Sequence, residues 1–253
     1  MPLLKSRVPF TPQNPYRVVR PQTSKIIFLS CEGSVTEEEY FGLISDIYSG
    51  IKSKIQFISV AEDAVFTAPK CRTQEQVTLL SKVRPKHLVE RIDQFKAEKD
   101  NIYQFEKYPE DEFWILTDVD QNWSSQLIDP QNAKTYKDEW DDAIAACDEK
   151  GYHYAVSNPF FEIWLLLHHD QPSEEDKSFA VSDSHSYEKT ELGAPLKDKK
   201  HINFSNYNDE KIKTAVHRAE ELHVDKTDMC PRYFATTVYL LLKKIFEMLP
   251  EEI

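Results

Sequence analysis

Short apolar runs alternate with amphipathic stretches along most of this chain. Residues 26–31, Ile-Ile-Phe-Leu-Ser-Cys, are almost continuously apolar, as a central strand covered by helices on both faces would be. Glu32-Gly33 ends the run. Thr36-Glu37-Glu38-Glu39 then opens a helix reaching about Ser49. Thr36 is the expected cap, Glu39 sits at the capping-box position, and the glutamates suit the positive end of the helix dipole. Residues 55–60 read as a second strand. Pro85 starts a helix to about Lys99, in which Leu88, Ile92 and Phe95 recur at helical spacing. Residues 112–117 form the third expected strand, followed directly by Asp118-Val119-Asp120 and a polar, loop-like stretch over 121–132. A helix over 133–150 ends at Gly151, a usual residue just past a helix end. Residues 152–156 are a fourth strand, and Ser157-Asn158-Pro159 turns into a helix over 160–168. Residues 170–210 are polar and irregular, and helices are expected over 209–222 and 233–249.

That βαβαβαβα order predicts an α/β fold with a largely parallel central sheet flanked by helices, plus a helical C-terminal extension. Three parts are expected: an arm over 1–24, a core over 25–170 and the extension over 171–253. With 40% hydrophobic and 12% aromatic residues among 253, wholesale disorder is excluded. Only 5 glycines are present, which argues against a Gly-rich phosphate loop. No apolar run reaches the roughly 18 residues of a membrane span. Cys31, Cys71, Cys147 and Cys230 are dispersed without a C-x-x-C pair, so a zinc ribbon or disulfide framework is not expected and a reduced, cytoplasmic setting is. The net charge is −12, yet the first 25 residues carry Lys5, Arg7, Arg17, Arg20 and Lys25 and no acid. A basic arm on an acidic body suits contact with phosphate or docking on a partner.

Ligands of open parallel sheets bind beyond the carboxyl ends of the strands. Glu32 falls there after the first strand, Asp118 and Asp120 after the third. On an extended backbone, D-x-D points both carboxylates to one side. Hard cations such as Mg²⁺ take oxygen ligands, typically one or two carboxylates with water and phosphate. Convergence of the three acids requires the two strands to be neighbours.

An apolar strand, Glu-Gly, a later apolar strand and Asp-x-Asp together resemble the Toprim domain of topoisomerases, primases and overcoming-lysogenization-defect nucleases. More specifically, the chain resembles the RloB family of prokaryotic defence-associated proteins. The resemblance is carried by Cys31-Glu32-Gly33, Thr36-Glu37, Tyr40-Phe41, Asp118-Val119-Asp120 and above all Ser157-Asn158-Pro159-Phe160-Phe161-Glu162-Ile163-Trp164-Leu165-Leu166-Leu167-His168. Tyr187-Glu188-Lys189, residues 215–219 and Thr237-Val238 extend it over roughly 24–248. It implies a Toprim-like Rossmannoid fold, Glu32 as general acid or base, and Asp118 and Asp120 as ligands of Mg²⁺ or Mn²⁺. Glu32 itself and Glu162 are further expected metal ligands, and Glu32, Asp118 and Asp120 form the expected catalytic set. Gly33, Ser157, Asn158 and Lys189 are expected to face substrate, with Lys197, Lys199 and Lys200 near the last. The implied activity is a metal-dependent nuclease on DNA or RNA, tRNA included, in antiphage defence by abortive infection. An ABC-type ATPase is the implied partner, with room for a homodimer. The chain has no P-loop of its own, so ATP dependence would come from that partner. An alternative is a non-catalytic adaptor within an ATPase complex. A haloacid-dehalogenase phosphatase fits poorly, because its D-x-D follows the first strand and Asn122 stands where that family has Thr or Val. His168-His169 is accounted for by a helix C-terminus, which favours a cation.

Overall fold

The computed structural model describes residues 25–33, 35–51, 55–60, 82–182, 197–198, 201–231 and 234–247. The basic arm, Cys71, Lys189, Lys199 and Lys200 lie outside them. A five-stranded sheet has the order β2-β1-β3-β6-β9, with β1 Lys25–Cys31, β2 Ile55–Ser59, β3 Glu112–Asp118, β6 His153–Asn158 and β9 Ala235–Thr236. The first four are parallel. β9 runs antiparallel on the outer edge, with Thr236 opposite Ser157.

Alternation along β1 sends Ile27, Leu29 and Cys31 to one face and Ile26 and Phe28 to the other, the period-two geometry of a strand. On the first face they meet Tyr40, Phe41 and Ile44 of α1 (Thr36–Ile47). On the second they meet Leu88, Ile92 and Phe95 of α2 (Pro85–Tyr103), with Ala143 and Cys147 of α3 (Tyr136–Lys150). Burial on both faces explains why β1 and β3 read as continuous apolar runs. The first face is completed by α4 (Glu162–Leu166), α6 (Asp209–Leu222) and α7 (Tyr239–Phe246), whose Ile163, Ile212 and Leu241 share that core. A further helix, α5, spans Glu174–Ser182.

Four details differ from the sequence reading. Helix α1 has Val35 at its N-cap and no side-chain cap; Thr36 is its first helical residue. Glu39 reaches away to accept from the Ile202 amide at 2.9 Å and to meet His201 Nδ1 at 2.5 Å. Residues 121–135 are not all loop: a turn at Asp120–Trp123 leads into a small hairpin, β4 Leu127–Asp129 with β5 Lys134–Thr135. Helix α3 therefore begins at Tyr136 rather than 133, where Thr135 and Asp138 form a reciprocal capping box that satisfies two orphan donors. Finally, the expected 233–249 helix is shortened. The segment before α7 lies along β6: the Thr237 amide donates to Val156 O at 2.9 Å, and the Val156 amide donates to Thr237 Oγ1 at 2.8 Å. Those bonds satisfy the outer edge of β6, which a helix starting at 233 would have left bare. A second small ladder pairs β7 Lys197–Asp198 with β8 His201–Ile202.

At the opposite end of the sheet, Glu112 ties three elements together. Its carboxylate takes Lys25 Nζ at 2.5 Å, Lys244 Nζ of α7 at 2.9 Å and Trp114 Nε1 at 2.8 Å. These hydrogen bonds hold its carboxyl at about 2, below the usual range, against the opposing effect of burial. Cys31 and Cys147 are buried cysteines, and Cys230 is a half-buried one. No helix among the described residues is long and apolar enough to cross a membrane.

Candidate active site at the carboxyl edge of the sheet

Strand β1 leads into α1 on one face, whereas β3 leads through the hairpin into α3 on the other. β1 and β3 are direct neighbours, with Cys31 beside Leu116. Their connections therefore part above the boundary between them, which makes it the switch point where α/β sheets open a crevice. Glu32 and Asp118 stand on its two sides.

Both are fixed by short local bonds. The Glu32 amide continues the ladder to Leu116 O at 2.9 Å. Its Oε2 accepts from Thr117 Oγ1 at 2.8 Å and from the Asp118 amide at 3.0 Å. The Glu32 carboxylate thus lies across the end of β3. The Asp118 carboxylate accepts from the Phe161 amide at the entrance of α4, one of the donors that a helix start leaves without an intrahelical partner. The turn after Asp118 is pinned as well: the Val119 amide donates to Ser157 O at 2.8 Å, and buried Asn122 donates through Nδ2 to Asp118 O at 2.8 Å. Asp120 opens the Asp120–Trp123 turn directly beyond; its side chain lies outside the described part of the structure.

Two more carboxyls join this edge. Glu162 is buried in the first turn of α4. Glu37, in the first turn of α1, is also buried, and its Oε1 accepts from the Gly33 amide at 2.9 Å. Gly33 permits that fold-back, because a Cβ at position 33 would come within 2.0 Å of Glu37 Oε2. Sequence reasoning read Glu37 as one of three dipole-complementing glutamates. The Gly four residues before it was the available signal that one could turn inward.

Two of these acids, Glu37 and Asp118, feel their acidic neighbours. Burial pushes the Glu37 carboxyl up to about 7, with Glu162 and Glu32 adding to the rise against the Gly33 bond. Asp118 is pushed well above the usual carboxylate range, first by burial and then by Glu32, Glu37 and Glu162. Like charges held together in a low-dielectric place raise each other's pKa in this way.

The Ser157 and Asn158 side chains have partners within the fold. Ser157 is buried, and its Oγ meets Thr236 Oγ1 of β9 at 3.0 Å. Asn158 Nδ2 donates to Pro231 O at 2.8 Å. Their side chains thus fasten the outer strand and the 231 segment to β6. His168 is a core histidine: Nε2 meets Tyr40 Oη at 3.0 Å, Nδ1 meets Trp164 O at 2.9 Å, and burial holds it near 3. Lys189 lies outside the described residues, as does the side chain of Lys197.

Carboxylate oxygens are the donors a hard divalent cation requires, and Mg²⁺ commonly takes only one or two of them. Glu32 and Asp118 meet that need in kind. Among the described residues, no group of three or more His, Cys, Asp or Glu side chains stands close enough together to hold a metal ion, and Asp120 is not among the side chains described.

A protein-family model described as RloB-like protein matches residues 27–245, most of the chain. No curated protein and no solved structure matches it.

Proposed function

The chain belongs to the RloB-like family, and from that premise we propose that it is a divalent-metal-dependent nuclease acting in antiphage defence, with an ABC-type ATPase as its partner. The observation that carries the reading is the meeting of Glu32 and Asp118 at the switch point of the sheet, with Glu32 Oε2 bonded to the Asp118 amide. Asp118, Asp120 and Glu162, with Glu32 beside them, are the residues that would hold Mg²⁺ or Mn²⁺. The bound ion would supply charge neutralisation at the phosphate and a more acidic water.

The chain's own groups do the rest. Thr117 Oγ1 and the Asp118 amide orient the Glu32 carboxylate, leaving it to move a proton at the attacking or departing oxygen. Asn122 and the Val119 amide fix the backbone around Asp118, so Asp118 needs little reorganisation when charge develops. Glu37, titrating near 7, holds a proton at neutral pH more readily than an ordinary carboxylate. It thereby limits the negative charge beside Asp118.

The test is to incubate the purified chain with Mn²⁺ and, separately, plasmid, single-stranded DNA and total tRNA. The expected result is cleavage that disappears on chelation and in Asp118→Asn and Glu32→Gln variants that keep the wild-type melting transition. Cleavage that survives both substitutions sinks this assignment. Intact metal binding with no cleavage of any substrate would favour the adaptor reading instead.

A further inference from the structure

Beside the carboxylate edge, on the α2 and α3 face, cations and half-buried aromatic rings alternate over the start of both helices. Lys82 is exposed, and Arg84 and Lys86 are partly so. Arg84 Nη1 and Lys86 Nζ each lie 2.7 Å from opposite oxygens of Glu139, which is buried. Two cations on one carboxylate leave an excess positive charge at the surface. The Arg84 guanidinium also lies 5.9 Å from the centre of the Tyr136 ring, the first residue of α3. One residue on, Lys137 Nζ lies 5.7 Å from the Trp123 ring while pairing with Asp141. Trp123 closes the very turn that Asp120 opens.

The strip is joined to the site by covalent and hydrogen-bonded neighbours. Buried Arg91 donates to Cys31 O, one residue before Glu32, at 3.0 Å and to Lys82 O at 3.1 Å. Ser30 Oγ donates to Leu88 O at 3.1 Å. The beginning of α2 is thereby held against the end of β1. Two buried nitrogens within the strip, His87 Nδ1 and Trp123 Nε1, have no hydrogen-bond partner among the described residues. His87 also registers the local field: burial first, then Arg84 and Lys86, lower it to about 4.

We propose that Lys82, Arg84, Lys86, Tyr136, Lys137 and Trp123 form the track along which an unpaired nucleic-acid strand reaches the carboxylates. The cations take backbone phosphates and the rings take bases. This deepens, and rests on, the reading of the edge as a nuclease site. The unpaired strand is favoured over a duplex because rings interleaved with cations can stack only bases that are splayed out. A duplex would use the cations and leave the rings idle.

The experiment measures anisotropy of a fluorescein-labelled 12-mer single strand, and of the same sequence as a duplex, in EDTA across a salt series. No cleavage is needed, so strand binding is read apart from catalysis. Wild type is expected to bind the single strand at least tenfold more tightly than the duplex. Arg84→Gln/Lys86→Gln/Glu139→Gln removes both cations together with the buried acid they neutralise. Against Glu139→Gln alone it should lower the slope of log K against log salt by about 1.4, two contacts at about 0.7 each for a single strand. Tyr136→Ala should weaken binding about fivefold or more with an unchanged slope. If the triple variant fails to fold, Lys82→Gln/Lys137→Gln, both away from the core, carries the same slope test. An unchanged slope, equal duplex binding, or no strand binding by wild type overturns the proposal. Strand binding without any metal-dependent cleavage would leave the track standing and defeat the nuclease reading; cleavage with an unaltered slope in the variants would do the reverse.

Discussion

Glu37 and Glu112 titrate in opposite directions, and each sign has a measurable consequence. Glu37 has a folded pKa near 7, above its ordinary 4.5, so folding binds a proton there. Stability from this group is therefore greatest at low pH, falls as pH rises from about 4.5 to 7, and levels off above. The span corresponds to about 3 kcal/mol. Glu37→Gln should remove that loss, so the metal-free variant should be more stable than wild type at pH 8 and closely matched at pH 4. Urea melts at the two pH values check this, and equal stability at pH 8 would contradict the burial of a charge there. Glu112 is held down to about 2 by Lys25, Lys244 and Trp114. Its contribution is present above about 4.5 and is lost as pH falls towards 2. Discounted for its partial contact with solvent, Glu112→Gln should lose on the order of 1–2 kcal/mol at pH 7. The same comparison at pH 2 should show almost no difference.

Short side-chain bonds decide where several elements begin and end. Thr135 accepts from the Asp138 amide, and Asp138 answers at the Thr135 amide. Thr135→Ala should cost about 1 kcal/mol, read as a lower melting temperature with unchanged helix content at 20 °C. Thr237→Val keeps the shape of the β6–β9 edge but leaves the buried Val156 amide without its acceptor, and should cost about 1–3 kcal/mol. An unaffected melt would show that this edge bond is replaced by water. These same places explain what could be read in the sequence. β1, β3, α2 and α6 announce themselves through long apolar periodicity, because burial on one or two faces imposes it. The start of α3 and the short β9 are set by single hydroxyls whose partners are either three residues away or 81 residues away. Thr237 looks like a helix residue until Val156 is placed beside it. The site divides likewise. Glu32 and Asp118 were legible as acids at strand ends, since the parallel order puts those ends on one edge. Glu37 was not, because its inward turn depends on the bare α-carbon of Gly33. Ser157 and Asn158 stand in the sequence at the same edge, and the outer strand β9, which two residues are too short to announce, engages the Ser157 hydroxyl.

At the scale of the whole molecule, the sheet separates two kinds of work. The Glu112 clamp and the shared core of α1, α4, α6 and α7 hold one face together, and the carboxyl edge gathers four acids, of which Glu37 and Asp118 have their pKa raised by burial and by their acidic neighbours. A fold that confines like charges is less stable than it would be with a cation among them. Occupancy of the edge by a divalent ion must therefore appear as stability through linkage, about 2.7 kcal/mol when the ion exceeds its Kd 100-fold. The most direct measurement is the thermal melt of wild type and Asp118→Asn, each in EDTA and in saturating Mn²⁺. The account predicts that Mn²⁺ raises the wild-type Tm by several degrees. Asp118→Asn should melt at or above wild type in EDTA, having lost one of the crowded charges, and should gain little from Mn²⁺. Equal Mn²⁺ shifts in the two proteins, or none in wild type, would contradict the claim that Glu32 and Asp118 form the centre of a metal-dependent site.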